Sequence, residues 1–261
     1  MNLKRLFTIL MFTLSSIAPC RAADEKNDPS PGVDTHAIAI LNRAVDRLAA
    51  AKHFSVSTEI WGDTELEGGG RTQFTKLVDV KVHRPNRIQM DVKTSVPKRS
   101  FYYDGKNLTM LDRQKGFYGT IAAPATIDET LVKVEEDYGV EFPLEDILIS
   151  RPFGDGAAKA KGAQYLGLEP VLGVACHHLA FQSEVIDWQA WVEDGPVALV
   201  RKVVITSKEE EGSPQVTAIF SKWDFSTELP DFVFAFDPPP GSARIDFVPT
   251  RGNAVDARPS K

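Results

Sequence analysis

Phe74-Thr75-Lys76-Leu77-Val78-Asp79-Val80-Lys81-Val82-His83-Arg84-Pro85-Asn86-Arg87-Ile88-Gln89-Met90-Asp91-Val92 decides the fold class by its period. Phe74, Val78, Val80 and Val82 alternate with Thr75, Asp79 and Lys81. After the turn-forming Arg84-Pro85-Asn86, Ile88, Met90 and Val92 alternate with Gln89, Asp91 and Lys93. A two-residue period puts successive side chains on opposite faces, so both runs predict half-buried antiparallel strands. Upstream, Phe54, Val56 and Ile60 share a face against Ser55, Ser57 and Glu59, which adds a third strand. Gly68-Gly69-Gly70, Asp104-Gly105 and Asp112 to Gly116 supply the turns, Asp104-Gly105 being the strongest hairpin signal. The first half therefore predicts a meander of strands.

Two segments break the β period. Asp34 or Thr35 can cap a helix running to about Ala51, with Ile38, Leu41, Val45 and Leu48 as its apolar stripe and His36 solvated in its first turn. Thr126-Ile127-Asp128-Glu129 is a capping box for a second helix, whose inner face is Ile127, Leu131, Val134 and Tyr138. Gly139 stops it, and Pro143 can start a shorter helix carrying Leu144, Ile147 and Leu148. The exposed side of this insertion is acidic. Strands resume near Tyr165 and are expected over Val174 to Phe181, Asp187 to Val192, Leu199 to Thr206 and Gln215 to Phe225. Asp194-Gly195-Pro196 and Gly212-Ser213-Pro214 mark turns, and Leu229 to Pro240 is the last ordered feature expected.

The amino-terminal 22 residues set the compartment. Lys4 and Arg5 precede an apolar run from Leu6 to Ile17, and Cys20-Arg21-Ala22 offers small residues ahead of a cut before Ala23. This is the pattern of a secretory signal peptide. Ile17-Ala18-Pro19-Cys20 also has the outline of a lipoprotein processing box, in which Cys20 would be kept and acylated. The expected organisation is a signal peptide at 1–22, a flexible leader at 23–33, one domain at 34–249 and a polar tail at 250–261. The formal net charge of −6 becomes −9 once Lys4, Arg5 and Arg21 are removed. An acidic balance argues against nucleic acid as a partner. With Cys20 gone, Cys176 is the only thiol, which excludes an intramolecular disulfide. On a strand-like run it reads as a small buried hydrophobe rather than a nucleophile.

The helix-then-meander order, Val82-His83-Arg84-Pro85-Asn86-Arg87-Ile88, and Tyr103-Asp104-Gly105-Lys106 followed by Leu108 to Leu111 resemble the LolA/LolB-like lipoprotein-carrier superfamily. So does the ending Leu229 to Phe236 with Pro238-Pro239-Pro240-Gly241. From Ala37 to Pro249 the chain is more closely similar to an uncharacterised family of predicted periplasmic proteins within that superfamily. Ile127 to Leu148 and Asp187-Trp188-Gln189-Ala190-Trp191-Val192-Glu193-Asp194-Gly195 carry the closer match. The resemblance implies a mainly β (α+β) fold, an incomplete antiparallel β-barrel or half-barrel with helices on its open concave side. It implies the periplasm of a Gram-negative-type bacterium. It also implies two kinds of role: sheltering acyl chains of lipoproteins or lipids, or binding proteins as an envelope-stress regulator. The matched motifs are turns and strand closures, and no ligand-contacting residue transfers from them.

Residues with chemical potential form no recognisable site. Cys176 and His178 share one face of a strand and His177 takes the other, so the run supplies too few ligands for zinc, and His36, His53 and His83 lack metal spacing. Ser100 and Ser183 sit in no nucleophile elbow. Glu135-Glu136-Asp137 and Glu209-Glu210-Glu211 read as solvated faces. Trp188 and Trp191 have opposite parity, which sends one inward and one outward, and an outward Trp is either a lipid or partner contact or ordinary packing.

A curved sheet with an apolar inner face must be filled by side chains, capped by helices or occupied by a ligand. A buried alkyl chain gains about 0.8 kcal/mol per CH₂. The reading is a monomeric, non-catalytic exported binding protein for a lipid or acyl chain, without cofactor or metal. Phe54, Val56, Ile60, Val78, Val80, Ile88, Met90, Val92, Leu131, Val134 and Trp188 line its cavity, and the Ile127 to Leu148 segment is its lid. The alternative is a non-catalytic envelope protein-interaction or stress-sensing module.

Overall fold

The computed structural model describes residues 32–66, 69–94, 98–153 and 160–249. The signal peptide with Cys20, most of the leader, Gly68 and the tail from Thr250 lie outside them. The first helix, α1 (Thr35–Ala49), is capped by Asp34, whose side chain accepts the His36 amide. Its buried stripe is Ala37, Ile40, Leu41, Ala44, Val45 and Leu48; Ile38 lies at the margin and Ile40 takes the centre.

Six strands follow: β1 (His53–Glu65), β2 (Arg71–His83), β3 (Arg87–Lys93), β4 (Arg99–Tyr103), β5 (Asn107–Asp112) and β6 (Phe117–Ala122). The turns close as their residues dictate. Asp104 Oδ1 accepts the Lys106 and Asn107 amides, and Asp112 Oδ1 accepts those of Gln114 and Lys115. Short carboxylate side chains that take amides two and three residues on are the reason Asp favours such turns.

The insertion holds α2 (Ile127–Tyr138) and α3 (Glu145–Leu148). Thr126 caps α2, its hydroxyl accepting the Glu129 amide and donating to the Glu129 carboxylate at 2.8 Å, where a full capping box would engage the Thr126 amide. Gly139 ends the helix at φ 62°, a left-handed conformation that glycine adopts without Cβ strain. The second meander is β7 (Gly162–Val171), β8 (Val174–Gln182), β9 (Ile186–Glu193), β10 (Val200–Ser207) and β11 (Gln215–Asp224), with a short β12 (Ala243–Arg244) at the end.

All twelve strands form one sheet in the order β12-β6-β5-β4-β3-β2-β1-β11-β10-β9-β8-β7. The two meanders join where β1 pairs with β11, and every pair is antiparallel except β12 with β6. The terminal strands β12 and β7 do not pair, so the sheet stays open as a half-barrel. Helix α1 packs on β7, β8 and β9. Val33, at the end of the expected flexible leader, is bridged to Ala163 of β7.

The chain beyond β11 is more ordered than its proline-rich sequence suggested. Asp231 pairs with Arg87, Phe234 is buried beside His83, and Phe236 packs between Tyr102 and Tyr118. Order runs past Pro240 into β12, and Phe247 then reaches Tyr138 of α2. A Cβ at Gly119 would stand 2.8 Å from the Phe247 ring, so β6 needs glycine there for this strap to seat.

Candidate functional site

One face of the sheet carries a contiguous apolar cluster, and the helices lie on it. Register fixes its members. Phe54 stands opposite Val82, Val56 opposite Val80 and Ile60 opposite Lys76, while Val82, Val80 and Val78 face Ile88, Met90 and Val92. On the second meander, Phe181 faces Trp188 across β8 and β9, and their rings stack at 4.1 Å. All eleven expected cavity residues belong to one contiguous buried cluster, together with Leu41 and Leu48 of α1 and Ile147 and Leu148 of α3.

The insertion spans this face between the meanders. Phe142, after α2, packs on Phe101 of β4 at 4.6 Å; Phe153, after α3, stacks over Trp188 of β9 at 6.5 Å and 6°. Ile127, Leu131 and Val134 supply the buried side of α2. Its outer side carries Asp128, Glu129, Glu136 and Asp137 with Lys133, and Lys133 pairs with Asp137 one turn on.

Polar contacts tie the insertion to the sheet and to itself. Arg84, at the β2–β3 turn, donates from Nη1 to the carbonyls of Leu148 (2.6 Å) and Ile149 (2.8 Å), and from Nη2 to that of Ile147 (3.2 Å). A guanidinium aimed at the last carbonyls of a helix satisfies acceptors that have no partner within it and complements their dipole. Burial lowers the Arg84 pKa from its ordinary value, and the Asp128 carboxylate opposes that shift. Asp128 accepts the amide and hydroxyl of Ser150, and Tyr103 donates its hydroxyl to Pro124 O. Asp146 in α3 has its carboxyl pushed up to about 7, first by burial and then by the adjacent Glu145 charge.

The opposite face of the sheet carries the residues that look chemical. Cys176, Trp191, Val171 and Val204 form a small outer cluster, and burial raises the Cys176 thiol. Trp191 faces outward as its parity requires, yet it is 5% exposed. His178 stacks on it at 4.0 Å, the Lys202 ammonium lies over its ring at 4.1 Å, and its Nε1–H donates to Glu169. It is packed, so the lipid or partner contact considered for an outward Trp does not apply. His177 takes the other face, meeting Tyr165 Oη at 3.2 Å and Asp194 at 3.0 Å. Ser100 is buried and donates to Asp91, and Ser183 closes a turn with Ile186. Among the described residues no group of three or more His, Cys, Asp or Glu is placed to hold a metal ion.

Sequence reasoning missed two features of the inner face, Arg84 as a tether and a lysine, Lys76, within the apolar row. The inward parity of Lys76 was readable from the period; the partners of Arg84, more than sixty residues away, were not.

The family model described as "Predicted periplasmic protein (DUF2092)" matches residues 37–248. No curated protein matches the chain. Among solved structures, it is similar to the lipoprotein LppX of Mycobacterium tuberculosis, with 13% identity, 75% of this chain and 98% of that chain covered, and a TM-score of 0.48. LprF from Mycobacterium bovis gives 13% identity, coverage of 76% and 98%, and a TM-score of 0.49. A LolA superfamily protein from Nitrosomonas europaea gives 14%, 77% and 97%, and 0.33. Similarity this distant transfers no residue roles.

Proposed function

The chain belongs to the DUF2092 family of periplasmic proteins, and from that premise we propose that it is a non-catalytic binding protein for an apolar ligand, a lipid or the acyl chain of a lipoprotein. The ligand lies between the inner face of the half-barrel and the α2–α3 insertion. Phe54, Val56, Ile60, Val78, Val80, Ile88, Met90, Val92 and Trp188 form the wall, and Leu131 and Val134 form the cover.

One observation carries this reading. A buried apolar cluster runs across both meanders, and the segment over it is tied to the sheet by the three Arg84 bonds and by Phe142 and Phe153. Lifting 124–153 would open a trough bounded by Phe101 on one side and Trp188 on the other. Each methylene entering it gains about 0.8 kcal/mol, so a long alkyl chain offsets the loss of the insertion's own contacts.

Native mass spectrometry and lipid extraction of protein purified from the periplasm test the reading. Co-purifying lipid and displacement of a fluorescent fatty acid are expected; a clean apo mass with no fluorophore binding would sink it. Processing at Cys20 decides the mode of action. Removed, it leaves a shuttle; retained and acylated, it tethers the same binding face to a membrane as an acceptor. The amino-terminal mass of the mature protein distinguishes the two.

A second reading, an envelope protein-interaction or stress-sensing module, is favoured by apolar exposure away from the inner trough. Leu168 of β7 is 56% exposed and Leu172, at the β7–β8 turn, 70%. Such residues on a sheet edge suit a protein partner. In-envelope crosslinking from Leu172 that recovers no protein would count against it.

A further inference from the structure

Strand β2 breaks its own pattern once. Phe74, Val78, Val80 and Val82 point to the inner face, and Lys76 lies among them at the same parity, while Leu77 is turned outward and exposed. Register places Lys76 opposite Ile60, and sets Thr58, Val78, Val92 and Arg99 in the adjoining row across β1 to β4. Two cations therefore stand at the rim of an otherwise apolar wall.

Three further observations bear on what they meet. Thr58 is 3% exposed, and its hydroxyl is buried with no hydrogen-bond partner. Buried hydroxyls are rarely left so, which marks this as a place where a polar atom from elsewhere fits. The Lys76 ammonium lies 4.7 Å from the centre of the Phe74 ring, its stem laid along apolar surface. Burial lowers its pKa, Glu141 opposes that shift and Arg99 adds to it. Glu141 belongs to the loop between α2 and α3, beside the Phe142 that packs on Phe101. The carboxylate that acts most on Lys76 thus rides on the insertion itself. Arg99 faces Asp112 across β5, whose Oδ1 is engaged by the turn amides.

We propose that Lys76 and Arg99 receive the anionic head of an amphiphile, a carboxylate or phosphate, whose hydrocarbon tail runs along the inner face past the Thr58 hydroxyl. The inference rests on the apolar-ligand reading and adds the ligand's class. An ammonium on an apolar wall is costly unless it is paired. Glu141 supplies the opposite charge while the insertion is seated. When the insertion lifts, Glu141 leaves with it and the ligand's head group takes its place. A neutral ligand of equal length would leave the ammonium desolvated and unpaired, so the wall selects for charge as well as for chain length.

The test compares a fluorescent long-chain fatty acid with its methyl ester on the full mature protein. The wild type is expected to bind the acid about tenfold tighter than the ester. Lys76→Met should bind both at the ester's affinity, and Lys76→Arg should keep the preference, which separates charge from misfolding. Equal binding of acid and ester by the wild type, or a preference that survives in Lys76→Met, overturns the head-group assignment alone. Binding of neither probe overturns the apolar-ligand reading as well. Inorganic phosphate at millimolar concentration should not displace the acid; displacement by phosphate alone overturns the assignment to an amphiphile in favour of a free-anion site.

Discussion

Helix α1 and the α2–α3 insertion lie against the same face of one sheet, yet they are held there by different means. Six residues of α1 are buried, from Ala37 to Leu48, and the helix packs on three consecutive strands. Its amino end is pinned further by Asp34, whose amide donates to Ala163 O and whose carboxylate accepts the Tyr165 amide. The insertion buries four residues of α2 and two of α3, with Phe142, Leu144, Ile149 and Phe153 buried beside them, and side chains of distant strands, Arg84 above all, tie it to the sheet. On the proposed reading, helix α1 is part of the wall and the insertion is the cover that lifts from it.

Leu41→Ala should cost about 3 kcal/mol, as a buried leucine truncated in a close-packed core does. Denaturant unfolding should lose that amount as one transition. If only the α1 amides gained hydrogen exchange, α1 would be a cover too and the contrast would fail.

Arg84→Gln removes the charged donor from three helix-end carbonyls, with an expected loss of about 2–3 kcal/mol. Here the effect should be local: exchange rises across 126–150, α1 stays protected, and a fluorescent fatty acid binds faster. Uniform loss of protection would make Arg84 an ordinary core residue.

Asp146 sharpens the same contrast through pH. Its folded pKa, about 7, lies above the ordinary 3.8, so the native state holds a proton that the unfolded chain releases. Its contribution to stability is therefore complete below about pH 4, declines as pH rises through 7, and is flat beyond. Asp146→Asn should raise stability at pH 8 by about 2–4 kcal/mol and leave it unchanged at pH 4. Thermal unfolding at the two values measures this, and an equal shift at both would show that charge is not the cause.

Loss of the α2 cap has the smallest expected effect. Thr126→Ala should cost about 1 kcal/mol, seen as fraying of the first turn of α2 with the sheet unaffected.

Most of the fold was legible because its signals are local. Period-two runs placed β3 and β8 to β11 within a residue or so, and found β1 and β2 but stopped short of Glu65 and began after Arg71. The box Thr126 to Glu129 and Gly139 bounded α2 at Ile127 and Tyr138, since a cap acts within one turn of its helix. The pairing of β12 with β6 was not legible: two residues after a triple proline carry no period, and only the edge of β6 makes them a strand. The outward Trp191 was placed on the correct face, but its burial depends on His178 and Lys202 from neighbouring strands, which parity does not reveal.

The same division runs through the candidate site. Periodicity grouped the apolar residues proposed for the wall and cover on one face, because one buried face is what alternation encodes; that the face lines a cavity came from the family resemblance. How they are covered is a property of the tertiary structure. Arg84 reads locally as part of a turn, and it becomes a tether only because folding brings the end of α3 to it from more than sixty residues away. Lys76 reads as one polar residue in a strand, and only the fold sets it among apolar side chains where burial lowers its pKa and the Glu141 carboxylate of the insertion opposes that shift. Local sequence determines which face a side chain takes, through the fixed geometry of strand and helix. What that side chain meets there depends on contacts between distant segments, and those are decided by packing.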